Sequence, residues 1–186
     1  MRGFFLFPKY IHPDMPPKDK RNQPETKSFD LLTSQFSLLH SNPSNRLIHY
    51  ISIPVVTFGL LGVIWAIPFP HVDLLGAYNG FVNWASFIIA FCIYYYYRLS
   101  AVTSYMVLLM VFAFSAGIVG LEKLHNQQGW PEMWLVCLVL FISGVVAQIA
   151  GHRAEPKRPS FSESLRSVLI GPMWLFDQLL SKAKRS

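Results

Sequence analysis

His40-Ser41-Asn42-Pro43-Ser44-Asn45-Arg46-Leu47-Ile48-His49 stands where a polar leader gives way to the first long apolar run. Asn42 precedes a proline and is biased out of the helical region, so a helix arriving from the N-terminal side stops near His40. Asparagine is a good N-cap and proline suits the first helical position, so Asn42 and Pro43 open the next helix. On one unbroken helix, histidines nine residues apart would face opposite ways, at about 100° per residue. Two helices meeting at an angle instead turn both imidazoles into one pocket. A second polar interruption, Gln148-Ile149-Ala150-Gly151-His152, closes the last strongly apolar run.

Composition sets the environment for this pattern. Of 186 residues, 52% are hydrophobic and only 14% charged, with a mean hydropathy of +0.34. A soluble domain carries about a quarter charged residues. The net charge of +6 lies mostly outside the apolar runs, which disfavours nucleic acid and suits a membrane protein with basic cytoplasmic segments. Cys92 and Cys137 lie inside apolar runs and are packing residues. The aromatic patch Phe4 to Phe7 is followed by Pro, Lys and Asp, so no cleaved signal peptide is expected.

The expected fold is all-α: a transmembrane helical bundle of about four spans with amphipathic flanking helices. Residues 1–27 are a polar, unstructured leader, 28–181 one integral-membrane domain, and 182–186 a basic tail. Phe29, Leu32, Phe36 and Leu39 recur at helical spacing, with Ser28 as N-cap of a short amphipathic helix. The spans are Leu47 to Ile67 (containing Pro54), Leu74 to Tyr97, Ala101 to Leu121, and Met133 to Gly151, each long enough for a core of about 30 Å. The tail from Phe161 to Leu180 is amphipathic, broken in two by Pro172, and lies on or dips into the membrane. Four spans gather Lys9 to Arg46, Arg98, and Arg153 to Arg185 on one side, so the positive-inside rule puts both termini in the cytosol. The membrane would be a bacterial inner membrane or the endoplasmic reticulum, depending on source.

Six histidines occur in the chain. His40, His49 and His152 meet at one expected membrane face. Gln148 and Glu155 share a helical face with His152 and are placed to hold its second ring nitrogen, as metal-bound histidines generally require. The alternative is that histidines at helix ends are interfacial or dipole partners. Glu122 and His125 have the Glu-x-x-His spacing of helical di-metal sites. Nitrogen-rich ligation without thiolate is compatible with iron or zinc. No glycine-rich phosphate loop, Gly-x-Ser-x-Gly elbow or Cys-His nucleophile pair is present.

His40-x-Asn42-Pro43-x-Asn45-x-x-x-His49-x-x-x-x-Pro54, with Gln148-x-x-Gly151-His152 and Arg158-Pro159, resembles the membrane-bound 2-hydroxy-fatty-acid dioxygenases of phytosphingosine breakdown. The resemblance covers roughly residues 30–180. It implies a small multi-span protein using Fe(2+) and O₂ for α-oxidation, shortening a long-chain 2-hydroxy fatty acid by one carbon. It assigns iron binding to His40, His49 and His152, with His125 matching a further histidine; Asn42 and Asn45 orient the loop or cap the helix. Glu155 stands one position closer to the last histidine than the family's acidic residue usually does, and Ser160 replaces a typical alanine. Four spans, however, put His125 about 30 Å from the other three. Arg46, Arg153 or Arg158 would receive the substrate carboxylate, since a guanidinium matches it bidentately. Two other functions fit the same residues: a non-catalytic membrane scaffold, and a metal-dependent lipid hydrolase or hydroxylase.

Overall fold

The structure, a computed structural model, describes residues 24–79, 82–156 and 160–183. Among them it is entirely helical: α1 (Pro24–Leu39), α2 (Pro43–Trp65), a 3-10 segment (Asp73–Tyr78), α3 (Trp84–Leu99), α4 (Ala101–Gln128), α5 (Met133–His152) and α6 (Phe161–Ala183). Helix α1 thus begins at Pro24, ahead of Ser28, inside the stretch expected to be unstructured. Asn42 caps α2, its side chain accepting from the amides of Ser44 at 2.9 Å and Asn45 at 3.4 Å. Pro43 occupies the first turn, and Pro54 is accommodated without interrupting the helix.

Three helices, α2, α4 and α5, are long and apolar enough to cross a membrane. The second expected span is not one helix. Asn83 forms a reciprocal capping box with Ser86, each side chain accepting from the other's backbone N–H. This starts α3 only at Trp84 and leaves it 16 residues, about 24 Å long at 1.5 Å per residue and short of the ~30 Å hydrocarbon core. Hydropathy runs straight through this region because capping depends on two side chains, not on mean polarity. The chain still passes back and forth four times. The N-terminal half of α3 packs through Ala85 on Leu61 and Ile118, while Tyr96 near its C-terminus packs with Val107, Phe29 and Met173. Ser100 alone turns α3 into α4, closing one helix and capping the other. Gly129, at φ 68°, ends α4.

Helices α2 and α5 run antiparallel in close backbone contact. A Cβ on Gly59 would lie 2.6 Å from the Phe141 amide nitrogen and 2.7 Å from the Cys137 carbonyl oxygen; one on Gly144 would meet Val56 at 2.7 Å. Small residues bring helices together this way where lipid supplies no hydrophobic drive between them. The outward face of α5 exposes Val139, Ile142, Val146 and Ile149, a helical stripe suited to acyl chains rather than water. Helix α6 is one continuous helix through Pro172, not two pieces. It packs over α1, α2 and α4, burying Met173, Trp174 and Leu175.

Candidate metal centre

His40 lies in the turn between α1 and α2, His49 in the second turn of α2, and His152 at the end of α5. The close packing of α2 on α5 brings the last two together, and the Asn42-Pro43 break swings the first onto them. One ring nitrogen from each lies within 4.8 Å of the others. The Nε2 atoms of His40 and His152 are 3.1 Å apart. His40 and His49 are 0% and 1% exposed.

The chain's own carbonyls set the tautomers. His40 Nδ1 donates to the Phe36 carbonyl at 2.7 Å, and His49 Nδ1 donates to the Asn45 carbonyl at 2.9 Å. A carbonyl only accepts, so both Nδ1 atoms carry hydrogen and a neutral ring leaves Nε2 as a bare lone pair. The bonds run four residues back along the chain, so nearby backbone holds both rings; none of the bonds of the Glu155 carboxylate goes to His152, whose second ring nitrogen Gln148 or Glu155 was expected to hold. Burial pushes the His40 imidazole below its ordinary value, outweighing the Phe36 carbonyl and the Glu155 charge, which favour protonation.

Glu155 does something else. Its carboxylate, 7% exposed, accepts from Ser41 Oγ at 2.8 Å, from the Asn42 amide at 3.0 Å and from Asn45 Nδ2 at 2.7 Å. It therefore ties the end of α5 to the α1–α2 turn. Burial alone would raise its pKa; the bonds from Asn45, Ser41 and Asn42 hold it below the ordinary value. Gly151 is needed here, because a Cβ there would run into Asn45 Oδ1. Gln148 is half-buried on α5 and makes none of these bonds.

Aromatic rings close the other side. Phe36 stacks on His40, centroids 4.1 Å apart and planes 14° from parallel. Trp174 of α6 is fully buried, stacks on Tyr50 at 5.2 Å, and donates from Nε1 to Ser37 Oγ at 2.8 Å. The sequence marked none of Ser41, Phe36, Tyr50 or Trp174 as a site residue. Phe36 had a local signal, standing four residues before His40; Trp174 had none, because its partners are over a hundred residues away.

His125 does not join the cluster. It sits in the last turn of α4, with Nδ1 donating to the Trp130 carbonyl at 2.7 Å. That places it at the start of α5, whereas His152 is at the end of the same 20-residue helix, about 30 Å away at 1.5 Å per residue. The four passes of the chain put the end of α4 and the end of α5 at opposite ends of the bundle, so His125 cannot share an ion with His152. Arg46 donates to Gln178 at 2.9 Å and lies over Trp174, Arg153 is exposed, and Arg158 lies outside the described residues.

The residues present suit a metal ion. His49 Nε2 is buried with no hydrogen-bond partner, a costly state for a lone pair that a cation would relieve. Two imidazoles on one ion, with metal–nitrogen bonds near 2.1 Å, stand about 3.0–3.4 Å apart; the His40–His152 separation of 3.1 Å falls there. Three imidazoles leave coordination positions open for substrate and co-substrate.

Fold and site together define a class: an all-helical bundle of membrane-crossing length with a three-histidine pocket at one end. The chain belongs to the family of 2-hydroxy-palmitic acid dioxygenase Mpo1-like proteins, whose model matches residues 26–183. No curated protein and no solved structure matches it.

Proposed function

We propose that this protein is an iron-dependent dioxygenase that carries out α-oxidation of long-chain 2-hydroxy fatty acids. The overall reaction is R–CH(OH)–COOH + O₂ → R–COOH + CO₂ + H₂O, which leaves an acid one carbon shorter. The observation that supports it most is the buried, unpaired Nε2 of His49 in a cluster where one ring nitrogen each of His40, His49 and His152 lies within 4.8 Å of the others, in a family named for such an activity.

His40, His49 and His152 would hold Fe(2+), which when bound supplies the redox chemistry of O₂. The Phe36 and Asn45 carbonyls keep two of the rings in the ligating tautomer without further rearrangement. Phe36, Tyr50 and Trp174 keep water from that side of the pocket. Glu155 fixes the α5 end against the α1–α2 turn, so the three rings remain in register. An acyl chain between apolar helices would lie along the bilayer, leaving the head group at the histidines. Arg46, whose Nε is buried without a partner, is the arginine best placed to meet the carboxylate. Both termini would lie on the cytosolic side with the basic residues.

Metal analysis of the purified protein tests this. His40→Ala, His49→Ala and His152→Ala are each expected to lose stoichiometric iron, while His125→Ala keeps it. Aerobic incubation with 2-hydroxyhexadecanoate should then yield pentadecanoate and CO₂. A protein that binds no iron, or that yields only a hydrolysed ester or a newly hydroxylated chain, refutes the assignment.

A further inference from the structure

Among the described residues, four buried side-chain polar atoms have no hydrogen-bond partner: Asn45 Oδ1, Arg46 Nε, His49 Nε2 and Ser52 Oγ. All fall on the first turns of α2. A metal accounts for His49, Asn45 Oδ1 is pressed against Gly151, and Arg46 Nε is the donor already given to the substrate carboxylate. Ser52 remains unexplained.

Its isolation is unusual. A serine or threonine within a helix commonly donates to the carbonyl four residues back. Thr33, Ser37, Thr57 and Ser167 do so here, at 2.8 to 3.1 Å. Ser52 does not bond Ile48, yet it is only 3% exposed. It lines a groove between α2 and α5 whose other walls include Ile48, Val55, Gly144 and Ala147. The small residues on α5 open this groove, and Ile51 at its rim is 65% exposed on the lipid side. Ser52 stands one turn beyond His49, about 4.5 Å along the axis.

We infer that the groove between α2 and α5 is where the substrate enters from the bilayer and lies, with Ser52 donating a hydrogen bond to its carboxylate. The inference rests on the proposed function and adds the residue and route that function needs. The groove's other hydroxyl, on Ser143, is exposed and already donates to the Leu140 carbonyl at 2.9 Å, so one buried, unpaired donor in a mostly apolar groove matches an amphiphile with one polar end. Bulk apolar lipid would leave the hydroxyl unpaired. The carboxylate is acceptor-only, so the hydroxyl must donate.

Binding to the full-length, metal-loaded protein in nanodiscs tests this, with 2-hydroxyhexadecanoate and 1,2-hexadecanediol as probes. Ser52→Ala is expected to weaken the acid about tenfold, the worth of a hydrogen bond to a charged group, while diol affinity and iron content stay unchanged. Ala147→Phe, which fills the groove, should weaken both probes; Ile142→Phe on the outer face of α5 should weaken neither. Wild-type affinity for the acid in Ser52→Ala overturns the inference, as does a joint loss of acid, diol and iron, which marks a purely structural serine. A second apolar cavity lies between α2, α3, α4 and α6. If Met110→Phe there weakens the acid and Ala147→Phe does not, the chain lies in that cavity and the inference falls. Indifferent groove variants of a protein that binds the acid overturn this inference alone. Failure of the metal-loaded wild type to bind either probe overturns it together with the proposed function.

Discussion

Glutamine and alanine at position 155 separate the two things Glu155 supplies, a negative charge and a set of acceptors. Its two oxygens take three donors, at 2.7, 2.8 and 3.0 Å. Hydrogen bonds to charged groups are worth about 1.5–3 kcal/mol each, against about 0.5–1.5 for neutral ones. The three share one acceptor group, so their worth does not simply add. In Glu155→Gln the amide oxygen still serves Asn42 and Asn45, and the Ser41 hydroxyl rotates to accept from the new NH₂. Only charge assistance is lost, about 1–2 kcal/mol. In Glu155→Ala the Asn42 amide finds water near the surface, but the fully buried Asn45 side chain does not. That variant should lose about 3–4 kcal/mol. Asn45 also carries the carbonyl that holds His49, so iron affinity should fall about 10- to 100-fold although Glu155 touches no ring.

The assay is unfolding by SDS titration in mixed micelles, read beside iron stoichiometry. Its pH dependence has a definite sign. The carboxyl is held below its ordinary 4.5, so its contribution is complete above that value and is lost as pH falls through the lower folded value. The acid limb of stability should therefore flatten in Glu155→Gln. Wild-type stability and full iron in Glu155→Ala would refute the tie between α5 and the α1–α2 turn. Equal damage from Gln and Ala would show that charge alone matters.

Three further outcomes are expected. Trp174→Ala removes a fully buried indole and its bond to Ser37 and should cost about 3–5 kcal/mol in the same titration, with Trp174→Phe milder; equal, small effects would mean that α6 does not cover the site. Gly151→Ala drives a methyl into Asn45 Oδ1 and should cost about 1–3 kcal/mol with loss of iron, whereas Gly120→Ala, with open space around it, should be neutral by both measures. Burial holds His40 below its ordinary 6.5; the unfolded chain then binds the proton first, and its contribution to stability declines as pH drops below 6.5 toward the folded value. Iron, which needs the neutral ring, should be retained on mild acidification, and a retention midpoint at or above 6.5 would contradict the burial.

The sequence by itself determined the helical, membrane-spanning class, because apolar runs of that length leave the backbone few other ways to satisfy its hydrogen bonds. It also marked the Asn42-Pro43 break, since capping and proline geometry are local, and the three histidines, since they interrupt apolar surface. Local signals also existed for the late start of α3, at Asn83 and Ser86, but hydropathy outweighed them. Four things were decided only in the tertiary structure. His125 was separated from the other histidines by the direction in which the helices pass. Glu155 was given the α1–α2 turn rather than an imidazole, because its donors lie about 110 residues away. Ser52 was left unpaired and Trp174 set over the histidines by packing between helices. Periodicity shows which residues share a face of one helix, but only the packed bundle decides which faces meet.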